Sequence, residues 1–179
     1  DGHDGFVNAA DGAVLNDAAK HLDERKEELT ETLVEEEGKT RAEAGGEVQR
    51  AIDIFYYYAQ KTRDLGGDVK SASGDDSNLY TIREPLGTVG LITPWNYPVA
   101  IPAWKLAPAL ATGNTVVLKP ASAAPGVSAK LFEALDDAGL PDGAANWVTG
   151  PGSQVGDPFI THDGVDGVVG ATEERDGDR

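Results

Sequence analysis

The chain has 179 residues, 40% of them hydrophobic, and none of its apolar runs approaches the roughly 20 residues that a membrane-spanning helix needs. It has no cysteine, which excludes disulfides, thiolate metal sites and a cysteine nucleophile within these residues. Its 31 acidic and 15 basic residues give a net charge of -16, so it lacks the basic surface that nucleic-acid binding requires. No basic and apolar leader follows Asp1, so we expect a cytoplasmic protein with no nucleic-acid, membrane or metal partner.

The acidic residues are spread along the chain instead of forming one cluster. Such a surface is typical of proteins adapted to molar salt, where charge repulsion is screened over about 3 Å at 1 M. We favour a halophilic protein on this ground, and the alternative is an ordinary acidic cytosolic protein. The acidic side chains behind this interpretation are Asp23, Glu24, Glu27, Glu28, Glu31, Asp75, Asp76, Asp136 and Asp137.

The first third of the chain has the periodicity of helices. Apolar residues recur every three or four positions over residues 14–37, which predicts one amphipathic helix with a solvated acidic face, closed by Gly38. Thr40 and Glu43 then form a Thr-x-x-Glu capping box, and a second helix is predicted to run to Gly66.

The remainder alternates between strand and helix patterns. After a small, polar loop at 71–78, residues 79–83 read as a short strand. The alternation that follows predicts an α/β fold with a Rossmann-like, doubly wound parallel sheet, preceded by the helical segment. The apolar runs, of the kind buried on both faces of a sheet, are 89–93, 115–118, 145–148 and 165–169, and the helix-like segments are about 99–111, 126–138 and 153–161.

In open α/β sheets ligands bind at the carboxyl ends of the strands, and the first such end carries a Thr-Pro-Trp-Asn-Tyr-Pro loop. Pro94 and Pro98 stiffen this loop around Asn96. A rigidly held side-chain amide is a good donor to an oxyanion, and losing one such donor typically adds about 2.7 to 4 kcal/mol to a reaction barrier. The alternative for a lone asparagine is ordinary turn chemistry.

Two further strand ends carry candidate ligand-binding residues. Lys119 and Ser122 share one loop, where a lysine suits a ribose or a phosphate, although a solvated lysine is the plain alternative. Gly150, Gly152 and Gly156 form a GxGxxxG turn into a helix, which differs from the GxGxxG dinucleotide fingerprint and is weak by itself.

The order and spacing of all three features resemble NAD(P)-dependent aldehyde dehydrogenases. The stretches that carry the resemblance are REPLGTVGLITPWNYP at 83–98, AWKLAPALATGNTVVLKP at 103–120 and AGLPDG at 138–143. Residues 14–67 resemble the amino-terminal part of the same family less specifically. The resemblance implies a partial NAD(P)-binding domain over 1–172, with a helical part at 13–67, a linker and strand at 68–84 and a nucleotide-binding α/β core at 87–172.

The resemblance also implies roles for individual residues. Asn96 matches the oxyanion-hole asparagine that steadies the tetrahedral thiohemiacetal and the thioester. Lys119 matches the lysine that binds the adenine ribose hydroxyls. The residues that the resemblance places around NAD or NADP are Ile92, Thr93, Pro94, Trp95, Asn96, Lys119, Pro120, Ala121, Ser122, Gly152, Gly156 and Gly170.

Ser122 favours NADP over NAD. It stands where NAD-preferring members of the family often carry a glutamate, which accepts hydrogen bonds from the ribose hydroxyls and repels a 2′-phosphate. With serine that repulsion is gone, and Lys119 is free to pair with the phosphate.

The chain departs from the family pattern in its later part. Gly170 and Thr172 fit the family's next cofactor-binding turn but Ala171 replaces its serine, and the charged stretch 173–179 fits nothing. The resemblance implies a longer enzyme whose later region supplies a water-activating glutamate and a nucleophilic cysteine. We therefore expect a fragment that is inactive alone, ending through a frameshift, gene decay or misassembly.

Three functions remain open on these residues. The first is a fragment of an oxidoreductase that converts an aldehyde to a carboxylic acid and whose full-length relatives form homo-oligomers. The second is a non-catalytic module that binds a nucleotide or pairs with an intact subunit. The third is a relative from the phosphate-reductase branch of the same superfamily, against which the Thr-Pro-Trp-Asn-Tyr-Pro loop argues.

Overall fold

The computed structural model describes residues 9–74 and 76–170. Three helices precede a two-stranded hairpin and an α/β unit, and none of the helices in these residues is long and apolar enough to cross a membrane. The predicted turn at Ala171 and Thr172 and the tail 173–179 lie outside the described residues. In chain order the elements are α1 (Ala9–Glu24), α2 (Lys26–Glu37), α3 (Arg41–Lys61), β1 (Val69–Lys70), β2 (Leu79–Tyr80), β3 (Thr88–Ile92), α4 (Ala100–Ala111), β4 (Thr115–Lys119), α5 (Pro125–Asp137), β5 (Ala145–Trp147), α6 (Gly152–Thr161) and β6 (Gly167–Gly170).

Strands β3 to β6 form one parallel sheet in the order β5-β4-β3-β6. The chain runs outward from β3 to β5 and then returns to the other side of β3. With right-handed crossovers, this reversal puts α6 on the face opposite α4 and α5. The prediction of a doubly wound parallel sheet preceded by a helical segment is confirmed.

Alternate residues of β3 and β4 point to opposite faces of the sheet. One set joins the buried core against α1 to α5, and we call this the packed face. The other set lies on the side of α6, and we call this the open face. The packed face comprises Val89, Leu91, Val116 and Leu118, whereas the open face comprises Thr88, Gly90, Ile92, Thr115, Val117 and Lys119.

Gly90 explains how α6 reaches the open face. A Cβ atom at this position would lie 2.7 Å from Cε1 of Phe159, which is itself buried. The ring of Phe159 in α6 therefore rests directly on the backbone of β3, and a larger residue at position 90 would push this ring away.

The helical segment differs from its prediction in two places. The single helix predicted for 14–37 is broken at Arg25, whose φ of -100° and ψ of 12° are not helical. Leu22 and Leu29, one on each side of the break, lie in the same buried core. Gly38 closes α2 with a φ of 69°, as predicted.

The second predicted helix begins where expected and ends early. Thr40 and Glu43 form the complete capping box at the start of α3, which confirms that prediction. The helix ends at Lys61 instead of reaching Gly66, because the amides of Arg63 and Asp64 donate to carbonyls three residues back, Gln60 and Lys61, and no longer four.

The strands other than β3 and β4 differ from their predictions. Residues 79–83 yield only the two-residue strand β2, which pairs with the unpredicted β1. The expectation that all four core strands are buried on both faces is wrong for β5 and β6, because they are edge strands. Val168 and Val169 of β6 are 37% and 46% exposed.

Candidate functional site

The carboxyl ends of β3 and β4 border an open cleft with a volume of about 430 Å³. Ile92 and Lys119 are paired neighbours in the sheet, and both line this cleft from the open face. Ala123 also lines the cleft; it was not predicted from the sequence, but it follows the predicted residue Ser122. The predicted cofactor-binding residues that line the cleft are Ile92, Thr93, Pro94, Trp95, Lys119, Ala121, Ser122, Gly152 and Gly156.

Three predicted residues lie beside the cleft instead of lining it. Asn96 is exposed in the loop after β3. Pro120 is buried, and its carbonyl accepts a hydrogen bond of 3.2 Å from Nζ of Lys119. Gly170 ends β6 and pairs with Ile92, so it stands at the same edge of the sheet.

Lys119 is a buried cation in a strongly acidic chain. Lys119 is only 7% exposed. Within residues 9–74 and 76–170 its ammonium has a single hydrogen-bond acceptor, the carbonyl of Pro120. A buried ammonium normally satisfies its three donors. The side chain is therefore available to oxygen atoms of a ligand in the cleft.

The start of α6 forms the opposite side of the cleft. The hydroxyl of Ser122 lies 3.4 Å from the carbonyl of Gly150, which links the loop after β4 to the glycine-rich turn. A Cβ atom at Gly152 or Gly156 would meet no protein atom within 4 Å. The two glycines therefore keep the cleft open at the amino end of a helix, where backbone N–H groups favour anionic ligands.

A buried group of charged side chains lies under the Asn96 loop, and we call it the Lys39 cluster: Glu37, Lys39 and Glu47. The ammonium of Lys39 lies 2.5 Å from Oε2 of Glu47 and 2.8 Å from Oε2 of Glu37. The side chains of Glu37 and Glu47 are 3% and 1% exposed. The contact to Glu37 lacks hydrogen-bond geometry, so that carboxylate has no hydrogen-bond partner among the described residues.

Two of the acidic residues in the helical segment cap helices of the α/β unit. Oε1 of Glu47 accepts hydrogen bonds from the amides of Val99 (2.9 Å) and Ala100 (3.1 Å) at the start of α4. Glu36 accepts hydrogen bonds from Gly126 (2.7 Å) and Val127 (2.9 Å) at the start of α5. Neither helix has a side-chain cap of its own, so these carboxylates satisfy amides that otherwise lack partners.

The inward-facing Glu36 corrects the prediction of a solvated acidic face on the helix predicted for 14–37. The sequence did carry a weak signal for the caps on α4 and α5. The residues before α4 and α5 are Val99 and Ala124, which do not cap helices well, so the missing partners had to come from elsewhere.

The Lys39 cluster perturbs the titration of two of its members. Burial raises the pKa of Glu37 above its usual range, although the neighbouring Lys39 opposes this. Burial lowers the pKa of Lys39, but its close contacts with Glu37 and Glu47 outweigh it, and the pKa lies above its usual value. The lysine therefore stays protonated between two carboxylates.

Comparison with known proteins identifies the family. The sequence pattern of the aldehyde dehydrogenase family matches residues 9–174. The chain belongs to the aldehyde dehydrogenase family. The resemblance read from the Thr-Pro-Trp-Asn-Tyr-Pro loop is thereby confirmed.

Individual aldehyde dehydrogenases are similar over most of this chain. An alpha-ketoglutarate semialdehyde dehydrogenase of Haloferax volcanii is 65% identical over 87% of the chain and 32% of its own length. An alpha-ketoglutaric semialdehyde dehydrogenase of Bacillus subtilis is 48% identical over 92% of the chain and 34% of its own length. The chain thus spans about a third of the length of these curated relatives.

A solved structure shows the same architecture. Glyceraldehyde-3-phosphate dehydrogenase GapN of Methanocaldococcus jannaschii, complexed with NADP, superposes with a TM-score of 0.85 at 37% identity, covering 89% of this chain and 35% of its own. The fold of the aldehyde dehydrogenase family therefore extends through the described residues.

Proposed function

We propose that this chain forms the cofactor-binding part of an NAD(P)-dependent aldehyde dehydrogenase. The observation that carries the proposal is the cleft at the carboxyl ends of β3 and β4, with the under-satisfied Lys119 on one side and the start of α6 on the other. A buried ammonium and a helix amino end together suit the ribose and phosphate groups of a dinucleotide.

The residues present fit that cofactor. Lys119 would hold the ribose hydroxyls or a 2′-phosphate, Ile92 to Trp95 would form the wall beside it, and Gly152 and Gly156 leave the space that it needs. NAD(P)⁺ supplies the acceptor for the hydride that leaves the aldehyde carbon. We assign the side-chain amide of Asn96 as the donor that stabilises the negative charge on the aldehyde oxygen.

Cofactor binding is tested by isothermal titration of the purified 179-residue chain with NADP⁺ and NAD⁺. We expect binding to the native chain, none to Gly156→Val and unchanged binding to Gly46→Val. Both glycines lie inside helices, and a Cβ atom added at either would meet no protein atom within 4 Å, but only Gly156 lines the cleft. Absence of binding to the native chain up to millimolar cofactor contradicts the proposal.

We further propose that NADP⁺ is preferred. Ser122 is exposed at the cleft and presents no carboxylate to a 2′-phosphate. Ser122→Glu is expected to weaken NADP⁺ binding more than NAD⁺ binding, while Ser122→Ala leaves the preference in place. Equal affinities in the native chain, or a preference for NAD⁺, contradict this assignment.

The substrate we propose is α-ketoglutarate semialdehyde, because two relatives with that activity in their names are similar over most of the chain. The reaction consumes water, which supplies the second carboxylate oxygen, and passes one hydride to the cofactor with release of two protons. The 179 residues contain no thiol, so we expect no turnover from them alone. Measurable aldehyde oxidation by the purified chain contradicts that expectation.

A chimera tests substrate and oxyanion residue together. Residues 9–170 replace the corresponding third of the Haloferax volcanii relative, and the product is assayed with α-ketoglutarate semialdehyde. We expect turnover to be retained, and Asn96→Ala in the chimera to lower kcat by about 100-fold to 1,000-fold. A folded but inactive chimera contradicts the substrate proposal, and an active Asn96→Ala chimera contradicts the role of Asn96.

A further inference from the structure

We propose that Lys39 and Glu47 are positioning residues that fix the Asn96 loop, residues 93–99, from the amino-terminal helices. The catalytic meaning of this inference rests on the proposed function, since it concerns the loop that presents Asn96. Its structural content stands on contacts between the Lys39 cluster and the loop.

The loop has few restraints of its own. The amide of Thr93 donates to the carbonyl of Lys119 at 3.3 Å, and the amide of Ile101 donates to the carbonyl of Tyr97 at 3.1 Å. Pro94 and Pro98 have no N–H group to contribute. Asn96 itself lies exposed between these anchors, so its position depends on what holds its backbone.

Glu47 anchors the carboxyl end of the loop. Its buried Oε1 binds the amides of Val99 and Ala100, where the loop becomes α4. A carboxylate at this place also meets the positive end of the helix dipole. The start of α4 is thus attached to α3, which carries Glu47.

Lys39 anchors the middle of the loop. Its ammonium donates to the backbone carbonyl of Asn96 at 2.7 Å and lies 4.4 Å from the centre of the Tyr97 ring. The same ammonium binds Glu47, so one cation joins the residue that presents the amide to the carboxylate that caps the helix. Rotation of the peptide after Asn96 would break the first contact.

The comparison with α5 separates positioning from simple capping. Glu36 caps α5 through two amides, and among the described residues no lysine binds its carboxylate. Capping a helix therefore requires no Lys39. Lys39 thus does more than assist a cap, because the ammonium that neutralises Glu37 and Glu47 also holds the carbonyl of Asn96.

The experiment compares three variants of the purified 179-residue chain: Lys39→Met, Lys39→Arg and Lys130→Met. Lys130 is the matched control, because it also joins the helical segment to the α/β unit, through an ion pair with Glu28 in α2. Among the described residues it makes no hydrogen bond or ion pair with the Asn96 loop. Three quantities are measured: the free energy of unfolding in urea, amide exchange at Val99, Ala100 and Ile101, and the Kd for NADP⁺.

We expect Lys39→Met to accelerate exchange of the three amides by more than its loss of global stability explains, and to raise the Kd about tenfold. Lys39→Arg is expected to restore slow exchange, and Lys130→Met to change neither readout. If Lys39→Met loses stability without faster loop exchange than Lys130→Met, the inference is overturned.

The native chain provides a second test that no folding failure of a variant can remove. Amides of Val99 and Ala100 should exchange as slowly as that of Leu106 in the buried part of α4. Exchange as fast as in the exposed loop 71–78 overturns the inference. Failure of the native chain to bind NADP⁺ contradicts the proposed function alone, because the exchange measurements still decide the role of Lys39 and Glu47.

Discussion

The packed face and the open face of the sheet consist of neighbouring residues in the same strands, yet they serve different ends. On the packed face Val116 and Leu118 are fully buried against the helices. On the open face Val117 is only half-buried, and Lys119 borders the cleft. Strand alternation therefore lets one short strand stabilise the fold with every second residue and face the cleft with the others.

Val116→Ala and Val117→Ala test this division most directly, because they remove the same two methyl groups from opposite faces of β4. We expect Val116→Ala to lower the free energy of unfolding by roughly 2 kcal/mol, since it loses burial and leaves a cavity. Val117→Ala should lower it by less than half as much. Urea denaturation measures both, and equal losses would remove the distinction between the faces.

Gly90→Ala tests how closely α6 rests on the open face. The new methyl group would meet Phe159 at 2.7 Å, so we expect a loss of about 1 to 2 kcal/mol from overpacking. Gly46→Ala in α3 is the control, because it meets no atom within 4 Å and improves helix propensity. A Gly90→Ala protein as stable as Gly46→Ala would show that α6 yields without strain.

Salt should separate apolar packing from surface charge. The excess acidic side chains, which give a net charge of -16, repel one another at low ionic strength, and added KCl screens that repulsion. We expect the free energy of unfolding to rise with KCl, while the difference between Val116→Ala and the native chain stays constant. Stability that does not rise with salt contradicts the halophilic interpretation.

Glu37→Gln examines a charge buried on the helical side of the molecule. Burial is the largest cause of the raised pKa of Glu37. Lys39 opposes the shift, whereas the negative charges of Glu47 and Glu36 add to it. A raised carboxyl pKa stabilises the fold below the unfolded value of 4.5, and that contribution is lost as the pH rises through the folded value. Glu37→Gln should therefore exceed the native chain in stability at neutral pH.

The control for that experiment is Glu35→Gln, because Glu35 is exposed on the same helix. The stability gap between Glu37→Gln and the native chain should close as the pH falls below 4.5. A gap that persists unchanged in acid would mean that ionisation of Glu37 is not its cause.

Much of the architecture could be predicted because local patterns decide it. The capping box at Thr40, the glycine that closes α2 and the alternation of strand and helix are all written in short stretches of sequence. The break at Arg25 could not be predicted, since no glycine or proline marks it. The early end of α3 has the same character, because no glycine or proline lies between Lys61 and Gly66 to mark it.

The residues that line the cleft could be predicted from the sequence, whereas the carboxylates that cap the neighbouring helices could not. Lys119 ends β4 and Gly156 lies in the first half of α6, the helix after β5, so the topology of the sheet brings both to one edge. Glu36 and Glu47 act on amides about 90 and 50 positions further along the chain, separations across which sequence periodicity has no reach. A run of glutamates in a highly acidic chain gives no local sign of which members turn inward.

The caps from Glu36 and Glu47 bear on how this part of the family can be recombined. A cut near residue 67 follows the compositional change in the sequence, but it would leave α4 and α5 without partners for their first amides. A gene fusion or a designed transplant that carries the sheet must therefore carry α2 and α3 as well, because they supply Glu36 and Glu47. The exchangeable unit is thus larger than the nucleotide-binding fold at its centre.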